Sequence, residues 1–299
     1  MIKPPALVEG DKIGLIAPAR KISREEIMPA VELIRAQGFV PVYHDGLFAE
    51  DHQFAGEDKL RAGYIQQILD DPEIKAVFSV RGGYGSVRIV DMLDFSGFMA
   101  NSKWFVGYSD VTVFHSHINR ICGVQTLHAT MPLNFANNTK DALNGLFDVL
   151  KGALPNYIFE KHFLNRGGKA TAVLTGGNLS VLYSLLGSRS FPETEGSILF
   201  VEDLDEYLYH VDRMMMALSR AGILSGLKGL IVGGMTNMND NEIPFGKTAE
   251  QIIREAVDPY NFPVCFGFPA GHIDNNLPLI MGAKVRMDVA EQTSITFTK

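Results

Sequence analysis

Four short stretches of this 299-residue chain carry residue types that can do chemistry. Gly107-Tyr108-Ser109-Asp110 puts a hydroxyl where an apolar run, Trp104 to Gly107, passes abruptly into a helical pattern. A serine at such a turn projects its oxygen outward, and the next backbone N–H, that of Asp110, points into the same space. That is the geometry of a nucleophile elbow, although Val111 stands where G-x-S-x-G would have glycine. Alone, the segment suits a plain helix N-cap better, since Ser-Asp is a favoured start. Arg81-Gly82-Gly83-Tyr84-Gly85 follows another apolar run. Its glycines let the backbone approach a ligand and present N–H groups, as a phosphate cradle or half of an oxyanion hole. No Gly-Lys-Ser/Thr follows, so it is not a P-loop, and a simple turn explains it equally well. Glu202 ends the run Leu199 to Val201, and a carboxylate there needs a partner. Orienting a histidine is one such use, whereas Asp205 and Glu206 read as a solvated loop. His272 follows Gly267 to Gly271 in a loop of small residues, where a lone histidine is more often structural or exposed than catalytic.

The metal alternatives are weaker. Carboxylates alone would suggest Mg²⁺ or Ca²⁺, but the spacing is not an EF-hand. His115 and His117 fall in a helical pattern, where i and i+2 do not share a face, which disfavours a metal hydrolase built on them and Asp212. No metal site and no cofactor is expected. His128 ends a strand-like stretch and is placed to line the same cleft. Together Ser109, Glu202 and His272 stand at strand ends in the chain order used by α/β-hydrolases.

The elements that must position these residues alternate between two periods. Short apolar strands at 12–19, 39–43, 75–80 and 104–107 are separated by helical patterns, the first opened by a Ser23/Glu26 capping box. This βαβ rhythm predicts a parallel sheet covered by helices on both faces. The turn-rich stretch 152–168 reads as a linker, giving an N-terminal α/β domain over 1–151 and a mixed α/β domain over 169–299 that ends in a hairpin. Net charge is −7, which argues against general nucleic-acid binding. Two cysteines, far apart, support neither a disulfide framework nor a zinc ribbon. Pro4, Pro5, Glu9 and Asp11 interrupt any signal-peptide core, and no run of about 18 apolar residues exists, so a cytoplasmic protein without membrane contact is expected. Gly is 29 of 299, and Gly82, Gly83, Gly85, Gly107 and Gly271 are read as positions where a side chain would crowd a substrate.

The chain resembles the LD-carboxypeptidase family, the muramoyltetrapeptide carboxypeptidases and their microcin-C-immunity relatives, essentially end to end. The likeness rests on Gly10 to Ala19, Phe54 to Ala62, Ala76 to Gly85, Val106 to Thr112, Thr175 to Leu179, Phe200 to Asp203, Tyr209 to Met214 and Gly271-His272 with Leu277-Pro278-Leu279. The resemblance implies a flavodoxin- or amidotransferase-like N-terminal sheet and a mixed C-terminal domain. It implies Ser109 as nucleophile, His272 as base and Glu202 as the acid that orients it. It further implies an oxyanion hole from the Asp110 N–H and one from the Arg81-Gly82-Gly83 turn, with Gly83 favoured. Arg81, Tyr84 and Tyr108 are candidate substrate contacts, and Arg81 or Arg88 the candidate cation for a substrate carboxylate. The implied activity is removal of the terminal D-Ala from a muropeptide tetrapeptide in peptidoglycan recycling, by a homodimer. Cleavage of another amide, such as a microcin-C-type aminoacyl-nucleotide, is the alternative. The 185–195 loop offers Phe191 but no Trp to stack on a base, which disfavours it. Non-catalytic ligand binding, with Ser109 as a cap, is the other. Ile273-Asp274-Asn275-Asn276 and the stretch from Gly233 to Asp240 depart from the family pattern.

Overall fold

Apolar runs bounded by Gly and Pro become the strands of a computed structural model that describes residues 1–298. In chain order they are β1 (Lys12–Ile16), β2 (Val40–Val42), β3 (Ile74–Ser79), β4 (Trp104–Gly107), β5 (Thr126–His128), β6 (Asn156–Glu160), β7 (Gly168–Asn178), β8 (Ile198–Leu204), β9 (Gly229–Thr236), β10 (Val264–Cys265), β11 (Leu279–Met281), β12 (Lys284–Val289) and β13 (Gln292–Phe297). They form two sheets, ordered β11-β5-β4-β3-β1-β2 and β10-β9-β8-β7-β12-β13-β6. The first sheet is parallel from β5 to β2. Its sixth strand, β11, comes from near the C-terminus and runs antiparallel to β5, so the sheet is mostly rather than wholly parallel.

Strand alternation explains why helices cover both faces of this sheet. Ile13, Leu15, Ala76, Phe78, Trp104 and Val106 point into one core with Ile27, Val31 and Ile34 of helix Arg24–Ala36. Ile16, Val77 and Phe105 point the other way, onto Ile65, Ile68 and Leu69 of helix Asp58–Asp70 and Phe114 of helix Thr112–His117. The Ser23/Glu26 capping box forms as its spacing predicts.

In the second sheet β7 to β10 are parallel, whereas β12, β13 and β6 are antiparallel. Ile198 and Phe200 of β8 join the core shared with the first sheet. Leu199 and Val201 face helices Leu208–Arg220 and Ala249–Ala256 instead. The stretch 152–168 is not bare connection, because β6 pairs with β13 inside it. Tyr157 and Phe159 alternate toward Phe268, at ring-centroid distances of 5.5 Å each. Flanking Pro155 and Asn165 hid that five-residue period. Among the described residues no helix is long and apolar enough to cross a membrane.

Candidate active site

The C-terminal ends of the parallel strands converge on one cleft, as open α/β sheets tend to arrange. At the end of β4, Tyr108 is extended and Ser109 has φ +64, a conformation uncommon for any residue with a Cβ. The chain then turns through Ser109–Val111 into helix Thr112–His117. Ser109 is therefore inside the turn and caps no helix. Its Oγ lies 3.0 Å from His272 Nε2. The turn is fixed from three sides. His115 Nε2 is 2.8 Å from the Gly107 carbonyl, and its Nδ1 is 2.9 Å from Thr126 Oγ1. The buried Asp110 carboxylate accepts the Ser86 N–H at 2.9 Å, tying the serine turn to the helix that follows the glycine-rich loop. Burial pushes the Asp110 carboxyl up from its ordinary range. Thr112 Oγ1 accepts the Asn178 N–H at 3.0 Å and so fastens the end of β4 to the end of β7.

Glu202 follows the pleat of Ile198 and Phe200 and is fully buried toward the first sheet. Its Oε2 accepts from His272 Nδ1 at 2.7 Å and from the His272 N–H at 3.2 Å. Burial disfavours the His272 imidazolium, but the charge and hydrogen bond of Glu202, with help from Asp203, outweigh it and hold His272 above its ordinary value. Asp203 follows the opposite pleat. It accepts from Asn178 Nδ2 at 2.8 Å, the Leu204 N–H at 2.9 Å and the Ser180 N–H at 2.9 Å, at the start of helix Leu179–Ser184. Burial and the neighbouring Glu202 push Asp203 up to about 7.

His272 arrives on a loop admitted by an irregularity in the sheet. The β8–β9 register shifts between Val201 and Asp203, beside Gly233-Gly234, and the Gly234 N–H donates to the Ala270 carbonyl at 3.0 Å. Thr236 Oγ1 holds the His272 carbonyl at 3.0 Å, and Asn276 Oδ1 accepts the Gly271 N–H at 2.8 Å. Asn138 Nδ2 donates to the Asp274 carbonyl at 2.8 Å, and Thr139 Oγ1 to Asn275 Oδ1 at 2.6 Å. Asp274 and Asn275, just after His272, thus clip its loop to the N-terminal half.

The cleft holds about 280 Å³ and is lined by Arg20, Arg81, Gly82, Gly83, Tyr108, Ser109 and His272, with Met131, Leu133, Asn134 and Leu204. Tyr108 packs its ring 4.9 Å from that of His272 and reaches Asn134 Oδ1 at 3.3 Å. Tyr84 is half exposed and rests on Phe54 instead of lining the cleft. Arg88 is held by Asp58 at 3.0 and 2.6 Å. His128 is buried behind Tyr108, at a centroid distance of 5.9 Å, and does not line the cleft. The glycines crowd protein rather than ligand: a Cβ on Gly82 would stand 3.1 Å from Ser109 Oγ, and one on Gly271, at φ +107, 2.6 Å from Glu202 Oε2. Sequence reasoning missed Arg20 and Asp203. Arg20 follows the end of β1, so applying the strand-end rule to that strand would have found it.

Residues 13–129 match the LD-carboxypeptidase N-terminal domain and residues 171–287 the LD-carboxypeptidase C-terminal domain. The probable murein peptide carboxypeptidase of Bacillus subtilis is 31% identical over 303 residues, covering 98% of this chain and 93% of that protein. The crystal structure of muramoyltetrapeptide carboxypeptidase from Oxalobacter formigenes gives a TM-score of 0.88 at 25% identity, covering 96% of this chain and 99% of that one. Microcin C7 self-immunity protein in complex with aspartyl sulfamoyl adenosine shares the fold, with a TM-score of 0.89 at 22% identity over 99% of this chain and 98% of that one. Fold and matched domains define the class, a serine-type carboxypeptidase that hydrolyses peptide bonds. The chain belongs to the LD-carboxypeptidase family.

Proposed function

We propose that this enzyme removes the terminal D-Ala from a muropeptide tetrapeptide through an acyl-enzyme on Ser109. The observation that carries the reading is the continuous relay from Glu202 Oε2 to His272 Nδ1 at 2.7 Å and from His272 Nε2 to Ser109 Oγ at 3.0 Å. Ser109 Oγ attacks the carbonyl carbon while His272 Nε2 takes its proton, and Glu202 holds the ring in the tautomer that leaves Nε2 free to accept. The N–H groups of Gly83 and Asp110 receive the oxyanion, a contribution on the order of 10²–10³ in rate per donor. His272 returns the proton to the departing amine of D-Ala. Water then attacks the ester, with His272 again as base, and frees the tripeptide and Ser109. In this reading 1–151 bring the nucleophile and 169–299 the acid and base, joined through 152–168. The homodimer implied by the family resemblance and a cytoplasmic recycling role belong to the same reading. Two free cysteines suit a reducing compartment.

The names of the Bacillus and Oxalobacter relatives support the murein substrate, and that of the microcin relative supplies its competitor. The test offers purified protein with EDTA an L-Ala–γ-D-Glu–diaminopimelate–D-Ala tetrapeptide and, separately, a microcin-C-type aminoacyl-nucleotide. D-Ala release that EDTA leaves unchanged is expected. Cleavage of the nucleotide amide without D-Ala release would transfer the same site to the other substrate.

A further inference from the structure

We propose that Arg20 is the anchor for the free carboxylate of the substrate, and so the residue that makes this site a carboxypeptidase site. The inference rests on the peptidase reading above and extends it. Arg20 and Arg81 both line the cleft, and among the described residues neither is paired with a carboxylate. Two uncompensated guanidinium groups in one cleft of a chain with net charge −7 mark a local site for an anion.

The two arginines differ in what is left to bind with. Arg81 is partly buried; its Nη1 is taken by the Lys21 carbonyl at 2.7 Å, and its Nε is buried without a partner and turned away from solvent. Arg20 is exposed at the cleft. Its main chain is fixed: the Ala55 N–H donates to the Ala19 carbonyl at 3.0 Å and the Lys21 N–H to the Gln53 carbonyl at 3.0 Å, and the buried Arg61 clasps the Pro18 carbonyl. Arg81, by gripping Lys21, thus positions the residue next to Arg20.

The side chain of Arg20 lies across Gly83. A Cβ on that glycine would stand 2.6 Å from both Cγ and Cδ of Arg20 and 3.2 Å from its Nε, so only glycine leaves room. The stem of this cation therefore lies beside the residue whose N–H receives the oxyanion in the proposed mechanism. In a carboxypeptidase the terminal carboxylate sits one residue beyond the scissile carbonyl. One short turn, 81–83, then serves both groups.

The test compares the tetrapeptide bearing a free terminal carboxylate with the same peptide ending in D-alaninamide. With wild-type protein the acid is expected to be the better substrate. Arg20→Ala should raise KM for the acid by about tenfold to hundredfold with kcat little changed, and should leave the amide within about twofold. Arg20→Lys should recover part of the loss, since it restores the charge without the fork. Equal losses on acid and amide would make Arg20 a structural residue and overturn the assignment, as would no loss at all. Binding of both peptides to Ser109→Ala protein, by calorimetry, reads the same discrimination without turnover. If wild-type protein released nothing, the peptidase reading would fail by itself, and this binding pair would still decide Arg20. Arg20→Ala weakening only the acid supports the anchor, and equal binding before and after overturns it.

Discussion

Strand β4 and strand β8 both end at the cleft, and they prepare their residues in opposite ways. At β4 the backbone does the work: Ser109 is held at φ +64 by His115, Asp110 and Thr112, and a small hydroxyl is pushed into reach of its partner. At β8 the backbone stays extended, the extra residue of the register shift falling on β9, and the pleat does the work. It sends two adjacent buried carboxylates to opposite faces, Glu202 to His272 and Asp203 to the start of helix Leu179–Ser184. The same residue chemistry, one position apart, thus serves a histidine on one side and a helix end on the other. Strain places the Ser109 hydroxyl, and burial with alternation places the Glu202 carboxylate.

The sharpest way to break this comparison is to remove the units that join the two strand ends. Ser109→Ala and His272→Ala should each lower kcat on the order of 10⁶-fold, and the double variant should be no worse than either, because groups acting as one relay are not additive. Steady-state kinetics on the tetrapeptide checks this, and a double variant worse by the product of the two would separate them. Glu202→Gln should cost on the order of 10³–10⁴-fold. It also tests a sign. In the proposed mechanism His272 works as a neutral base, so kcat/KM rises as pH climbs through its pKa, which Glu202 holds above its ordinary value. Removing the carboxylate charge lowers that pKa, so the acid limb of the profile should move to lower pH. A limb that stayed in place would detach Glu202 from His272.

Gly271→Ala is expected to cost about a hundredfold in kcat/KM and about 1–3 kcal/mol in stability, since its Cβ would meet Glu202 Oε2 at 2.6 Å at a positive φ. Asp203→Ala sharpens the contrast between the two carboxylates. It should keep activity within about tenfold and lower stability by about 1–3 kcal/mol, because three donors lose their acceptor. Urea titration of both variants gives the stabilities. The smallest effect is Gly63→Ala, in helix Asp58–Asp70 with nothing within 4 Å of the new Cβ. It should stabilise by about 0.5–1 kcal/mol and leave kcat unchanged.

The residues that end strands were legible because strand ends carry local signals: an apolar run that gives way to a polar residue, with glycine between them at Ser109 and His272. That is how Ser109, Glu202 and His272 stood out, as did the alternation that becomes β12 and β13. Long-range pairing left no such mark. Three residues at Leu279–Met281 are too few to show a period, yet they complete the first sheet from the far end of the chain. Spacing singled out Glu202, but the task of Asp203 at the start of helix Leu179–Ser184 depended on which face the pleat gives it. The rank of the arginines was hidden for the same reason: Arg88 is taken by Asp58, and Arg81 by a carbonyl 60 positions away.

The most direct test of the account is D-Ala release from the tetrapeptide by wild-type and Ser109→Ala protein of matched melting temperature, both in EDTA. Turnover by wild-type protein, with less than about one part in 10⁴ left in the variant, is the predicted result. A folded Ser109→Ala protein that still released D-Ala at a substantial fraction of the wild-type rate would contradict it.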